Sequence, residues 1–229
     1  MSMGDPVGSC ETKFWHKKWV PIKESLSIKS KQEEVIVGSL LGDGTMRIGK
    51  GCRNANFKVE HGLKQKELVD WKYQQLESLV FTGPRISYRY HNGGETYPKS
   101  WWFRTIRHPR MTEIYNEFYT GEQYRTGKKI VPNSISKWFT PLALAVWIMD
   151  DGNYSKKAIN ISTYSFSRNE VELLQLLLEE KFGVTSNFHM DRDKGYRMTF
   201  RIRETAELIN IIHPYIIPSM MYKIGLATP

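Results

Sequence analysis

The feature that most constrains this chain is a pair of apolar stretches, each ending abruptly in Asp-Gly. One runs Val35-Ile36-Val37-Gly38-Ser39-Leu40-Leu41-Gly42-Asp43-Gly44 and the other Leu144-Ala145-Val146-Trp147-Ile148-Met149-Asp150-Asp151-Gly152. Both have the apolar density of a buried helix. A helix C-terminus carries partial negative charge, so an acid placed there costs roughly 0.3–1 kcal/mol. One such ending reads equally well as a turn residue before glycine. The same awkward ending twice, about a hundred residues apart, asks for an external reason, and a divalent cation shared between the two helix ends supplies one.

The text between and after these stretches predicts an internal repeat. Ser30-Lys31-Gln32-Glu33 fits a helix N-terminus with Ser30 as cap, and the helix should run to about Leu41. Gly38 and Gly42 fall on one face of it, as close contact with another helix requires. Asn56 to His61 alternates, with Phe57, Val59 and His61 on one side. Residues 64–80 read as a helix with Leu68, Trp71, Leu76 and Leu79 inside. Arg85 to Tyr90 alternates, 91–94 reads as a turn, and Ser100 to Arg107 reads as the return strand. A short helix is expected over Met111 to Phe118, then a basic linker from Arg125 to Lys129. Thr140 caps the second helix, with Pro141 at its first position. After Gly152, Ile159 to Tyr164 alternates, 168–181 is an amphipathic helix, Asn187 to Asp191 and Arg197 to Arg203 alternate, and a helix covers Glu204 to Ile212. The order helix, two strands, helix, two strands, helix thus occurs twice.

Alternation of this kind buries one sheet face and exposes the other. The exposed faces are expected to carry Lys58, Arg85, Ser87 and Arg89 in one half. In the other they carry Asn160, Ser162, Asn187, His189, Arg197, Thr199, Arg201 and Arg203. Arginine can take guanine bidentately, asparagine can take adenine, and a β-ribbon fits the major groove. An ordinary solvated face is the alternative. Against it, the arginines of the last strand lack an interspersed acid, and the formal net charge is +9, with a pI of about 9.4, in the range of nucleic-acid binders. Two cysteines, Cys10 and Cys52, make no disulfide framework and suggest a reduced compartment. No apolar run reaches the roughly 18 residues of a membrane span, and no signal-peptide core opens the chain. A soluble intracellular protein is therefore expected, in an organelle or a bacterial cytoplasm. Phe14 to Trp19, aromatic and basic, either packs on the domain or touches nucleic acid.

Both Asp-Gly stretches resemble the motif of LAGLIDADG homing endonucleases, with Ile36 to Gly44 as one copy and Leu144 to Gly152 as the other. Thr140-Pro141 before the second copy and Ile217 to Lys223 near the end extend the resemblance across most of 30–224. It implies an α+β fold of two pseudo-symmetric αββαββα halves with saddle-shaped antiparallel sheets. Residues 1–29 would be an extension, 30–124 the first half, 125–139 a linker and 140–229 the second half. It implies a monomer that cuts both strands of a long, asymmetric double-stranded DNA target, leaving staggered ends. The metal would be Mg2+, with Mn2+ as a substitute, held by Asp43 and Asp151, one for each strand. Hard oxygen ligands suit Mg2+, which keeps several waters and needs few protein carboxylates. Carbonyls near Gly42 and Asp150 could add ligands. Asp150 departs from the family's small residue there: its carboxylate or only its carbonyl could matter. Lys129 and Lys223 would act beside the metals, with Lys128 a competitor for Lys129. The same scaffold also serves maturases that bind host intron RNA, and non-cutting DNA-binding proteins.

Overall fold

The computed structural model describes residues 21–22, 25–90, 95–121 and 127–227. The Phe14 to Trp19 segment, Cys10, the turn at 91–94 and Arg125 lie outside the described residues. The first motif forms helix α1 (Ser30–Leu41). Its cap lies one residue earlier than expected: the Lys29 backbone N–H donates to Gln32 Oε1 at 3.0 Å. Glu33 is unavailable because it reaches across to Arg110 (2.6 Å) and to Trp138 Nε1 (2.7 Å). A short strand β1 (Thr45–Arg47) follows, then β2 (Asn56–Gly62). The helix expected over 64–80 is α2 (Lys66–Leu76) flanked by single 3-10 turns at Leu63–Gln65 and Glu77–Leu79. β3 (Arg85–Tyr90) pairs with β4 (Thr96–Arg104), and α3 (Pro109–Phe118) closes this half. The return strand therefore starts and ends earlier than the Ser100 to Arg107 reading. The short strands β5 (Tyr119–Thr120) and β6 (Lys128–Lys129) pair before a 3-10 turn at Asn133–Lys137.

The second motif forms α4 (Pro141–Asp151), capped by Thr140 Oγ1, which accepts from Ala143 N–H at 3.2 Å. Then come β7 (Gly152–Ser155), β8 (Ala158–Thr163), α5 (Arg168–Phe182), β9 (Asn187–Met190), β10 (Tyr196–Thr199) and α6 (Ile202–Ile212). A 3-10 stretch at Pro218–Ile224 ends the described chain's regular structure. The strand expected over 197–203 stops at Thr199. Arg201 is instead the cap of α6, and Arg203 lies in its first turn, where its Nε donates to Glu207 at 3.0 Å. The run of alternating arginines is thus a strand end spliced to an i,i+4 helix pair.

Each half holds a four-stranded antiparallel sheet, in order β1-β2-β4-β3 and β7-β8-β10-β9. The two sheets are built alike. Thr105 Oγ1 accepts from Phe57 N–H at 3.0 Å, and Thr205 Oγ1 accepts from Ile159 N–H at 3.1 Å. Between the sheets α1 and α4 pack so tightly that a Cβ on Gly38 would lie 2.4 Å from the Ala143 carbonyl oxygen and 2.8 Å from Val146 Cβ. Any side chain there would push the helices apart. Residues of both halves share one core, with Val35, Leu40, Val146, Trp147, Phe57 and Ile161 all buried in it.

Candidate active site and sheet faces

The close helix pairing sets the two Asp-Gly ends side by side. A Cβ on Gly42 would sit 2.5 Å from Asp150 Cβ, so the first motif needs glycine where the second has aspartate. Asp43 leaves its helix half-exposed, and its backbone N–H donates to Asp150 Oδ2 at 3.3 Å. Asp151 feels Asp43 directly. Burial, then repulsion from Asp43 and Asp150, pushes its carboxyl up to about 7, with Lys129 and Lys223 opposing the rise. Repulsion of this kind on Asp151 is what a cation between the two acids would relieve.

The lysines repeat the symmetry. Lys129 Nζ donates to the Gly42 carbonyl at 2.5 Å and the Gly44 carbonyl at 3.3 Å. Lys223 Nζ donates to the Asp150 carbonyl at 3.0 Å. Gly42 and Asp150 each precede the motif aspartate, so the two lysines hold equivalent atoms of the two copies. Lys129 is fixed by β6, paired to Tyr119, whose hydroxyl in turn accepts from Met46 N–H at 3.0 Å. Lys223 sits on the 3-10 stretch after Pro218. Burial pushes both ammonium groups below the usual lysine range, against the pull of Asp43, Asp150 and Asp151. Lys128, the competitor, is exposed.

Asp150 departs from the pattern. Its carboxylate is fully buried and takes the equally buried Lys72 Nζ at 2.6 and 2.8 Å. His61 lies between the two acids, with Nδ1 3.4 Å from Asp43 Oδ2 and Nε2, which has no hydrogen-bond partner among the described residues, 3.5 Å from Asp150 Oδ1. Burial pushes the imidazole below its ordinary range, and Lys72 adds to this while Asp150 and Asp43 oppose it. Asp43, His61 and Asp150 thus form one group with donor atoms within 4.8 Å of one another. An ammonium on both oxygens of Asp150 leaves its side chain committed inward. The donors suited to a hard cation are the carboxylates of Asp43 and Asp151, with the Gly42 and Asp150 carbonyls, each of which keeps a second lone pair.

Sequence reasoning missed Lys72 and His61 as site residues. Both carried a signal. Lys72 lies midway between Leu68 and Leu76 on the apolar stripe, and His61 shares the buried side of β2 with Phe57 and Val59.

On the sheets, registers decide which side chains share a face. In the second half Ser162, Arg197 and His189 form one cross-strand row, and Asn160, Thr199 and Asn187 the next. Asn153 on β7 extends that second row opposite Asn160. Arg197 is not without an acid: its Nη2 pairs with Asp191 at 2.7 Å and its guanidinium also bonds the Tyr164 hydroxyl. Arg201 and Arg203 lie off this face. In the first half Lys58 stands opposite Arg104, Arg85 opposite Trp102, and Ser87 opposite Ser100. A register shift beyond Ser87 places Arg89 opposite Tyr97 and lets both Ser100 and Lys99 approach Glu60. Trp102 is ringed by Arg85 at 4.2 Å, Lys58 at 5.0 Å and Arg104 at 6.0 Å, which gathers positive charge around one indole.

A family model described as LAGLIDADG DNA endonuclease family matches residues 33–208. The chain belongs to that family. The family is one of DNA endonucleases by its description, and this LAGLIDADG chain is 32% identical over 199 residues to the cytochrome b mRNA maturase bI2 of Debaryomyces hansenii, covering 84% of this chain and 72% of that protein. It is 28% identical over 212 residues to the DNA endonuclease I-ChuI of Chlamydomonas applanata, covering 87% of this chain and 97% of the relative. It spans only 46% of the Saccharomyces cerevisiae bI2 maturase, at 31% identity. The solved structure of the homing endonuclease I-WcaI bound to its DNA recognition sequence has the same fold, with TM-score 0.78 at 24% identity over 98% of this chain and 96% of that one. Among the described residues no helix is long and apolar enough to cross a membrane.

Proposed function

We propose that this chain is a site-specific endonuclease that hydrolyses both strands of a long, asymmetric DNA duplex and leaves staggered ends. The observation that carries this reading is the duplicated arrangement at the helix ends: an aspartate, the carbonyl before it, and a half-buried lysine on that carbonyl, present in both copies. Asp43 and Asp151 each serve one strand and hold Mg2+, for which Mn2+ substitutes, with the Gly42 and Asp150 carbonyls beside them. A bound divalent cation supplies an activated water at neutral pH and charge stabilisation at the leaving oxygen. The chain's own part is placement. Lys129 and Lys223 fix the backbone of the two motif ends and keep a positive charge beside the phosphate that arrives there. The sheets carry Lys58, Arg85, Ser87 and Arg89 on one side and Asn160, Ser162, Asn187, His189, Arg197 and Thr199 on the other into the major groove. Arg201 and Arg203, on a helix start, are left for the phosphate backbone. We take residues 30–124 and 140–229 as the two halves, joined by 125–139 after an extension over 1–29, and the active form as a monomer.

Nicking and linearisation of a plasmid carrying a selected target test this, with Mg2+ against Ca2+ or EDTA. Cleavage with Mg2+ and binding without cleavage in Ca2+ are expected. Cleavage in EDTA overturns the metal assignment. A second reading rests on the 32% identical relative, which is named as a maturase: the same chain binds its host intron RNA. Retention of both Asp43 and Asp151 supports cutting in either case.

A further inference from the structure

The two halves correspond residue by residue inside as well as at the site. The Thr105 and Thr205 clasps match Phe57 with Ile159, and the strand pairs Thr45↔Lys58 and Asn153↔Asn160 agree with that match. His61 therefore stands where the second half has Thr163, whose buried hydroxyl is turned to the Tyr196 carbonyl at 2.6 Å. The buried positions Val69, Lys72 and Leu76 of α2 match Val171, Leu174 and Leu178 of α5, so Lys72 stands where the second half has a core leucine. Asp150 stands where the first motif has Gly42. Three polar groups thus depart from the repeat, and all three meet in one place. Asp150 crosses from the second half into a socket of the first, where Lys72 holds both its oxygens and His61 stands between it and Asp43.

We propose that Lys72, Asp150 and His61 form a positioning unit for Asp43, so that hydrolysis of one DNA strand depends on His61 while hydrolysis of the other does not. This rests on the endonuclease reading above. Lys72 anchors the Asp150 carboxylate. Asp150 receives the Asp43 backbone N–H and faces one ring nitrogen of His61. The other ring nitrogen faces the Asp43 carboxylate, and the Gln65 side chain also borders the ring. The imidazole is buried, so it borders the Asp43 carboxylate from a fixed wall of the fold. Asp151 has no counterpart of this ring among the described residues, because Thr163 is bonded elsewhere.

The test is strand-resolved single-turnover cleavage, with Mg2+, of a duplex recovered from a randomised library by the unmutated protein and labelled on both strands. Asp43→Asn and Asp151→Asn identify which strand each acid serves. His61→Thr, which installs the residue of the other half, should slow the Asp43 strand by about 10- to 100-fold, the cost of a small misplacement at a reacting centre, and leave the Asp151 strand within about twofold. Nicked product then accumulates. His61→Asn, which keeps a donor where Nδ1 stands, should recover part of the lost rate, and it also serves if the threonine variant unfolds. Equal slowing of both strands, or no slowing of either, overturns the inference while the endonuclease reading stands. If the unmutated protein cuts neither strand, that reading falls and the inference falls with it.

Discussion

The two motif ends of this molecule are copies in their backbone and strangers in their surroundings. Around the first, Asp43 is half-exposed, touched by His61, and backed by a buried ion pair. Around the second, Asp151 is half-buried and its carboxyl is pushed up to about 7 by burial and by its acidic neighbours. The lysine-to-carbonyl contacts are the same on both sides. What duplication kept is the geometry of the two motif ends. What it released is the layer beneath, where one half could take a charge as long as the other supplied its partner. A buried ion pair adds little net stability against an apolar alternative but is costly to break. Such a pair therefore fixes how the halves sit together more than it holds them.

The largest expected effect isolates the two ends. Asp43→Asn and Asp151→Asn should each reduce cleavage of a different strand by at least about 10²-fold, the loss typical of removing one group that acts on the developing charge. End-labelled duplex shows which strand survives, and loss of both strands in both variants breaks the comparison. Lys72→Ala comes next. It strands the Asp150 carboxylate inside the fold and should lower the unfolding free energy by about 3–5 kcal/mol in urea titration. Lys72→Leu combined with Asp150→Gly should recover most of that, because it restores the arrangement of the other half.

Acidity sharpens the contrast further. The Asp151 pKa is raised from 3.8 to about 7 in the folded chain, so the native state binds this proton more tightly than the unfolded one. Its contribution to stability is unperturbed below about pH 4 and turns increasingly unfavourable as pH rises toward about 7. In metal-free buffer Asp151→Asn should therefore melt higher than the parent at about pH 8 and alike at about pH 4. A parent that is more stable than the variant at pH 8 would reverse the sign. Gly38→Ala should cost about 1–3 kcal/mol, since its Cβ would meet the Ala143 carbonyl, with both strands slowed together because the helix pair belongs to both ends. The smallest effect is on the sheets. Arg197→Ala should weaken DNA binding and flatten its salt dependence by about one unit of slope, whereas Arg203→Ala, paired to Glu207 on a helix, should barely change base preference. Equal loss of sequence preference in both would show that α6 also reads bases.

The elements legible in the sequence were those with strong periodicity or strong caps. The two motif helices, the Thr140-Pro141 start, α5 and the strands β2, β3, β8 and β9 fall where the pattern placed them. The strands β1 and β7 are three and four residues long, too short to show alternation, and they form because each motif end turns directly onto a sheet edge. Arg201 and Arg203 misled because a strand that ends and a helix that begins can keep a two-residue rhythm across the join. At the site, the paired aspartates were legible by repetition. Lys72 was not, since a lysine on an apolar stripe ordinarily extends to solvent. Only the docking of α4 against α1 reveals that its charge is met from 78 positions away.

The mismatch of interior residues has a consequence for how such a chain can be divided. A symmetric dimer of the first half would pair Gly42 with Gly42 and enclose two ammonium groups with nothing to neutralise them. A symmetric dimer of the second would press Asp150 against Asp150 with only leucine behind each. Each half has come to rely on the other for a charge partner, so splitting the polypeptide would first require those interior residues to be reset.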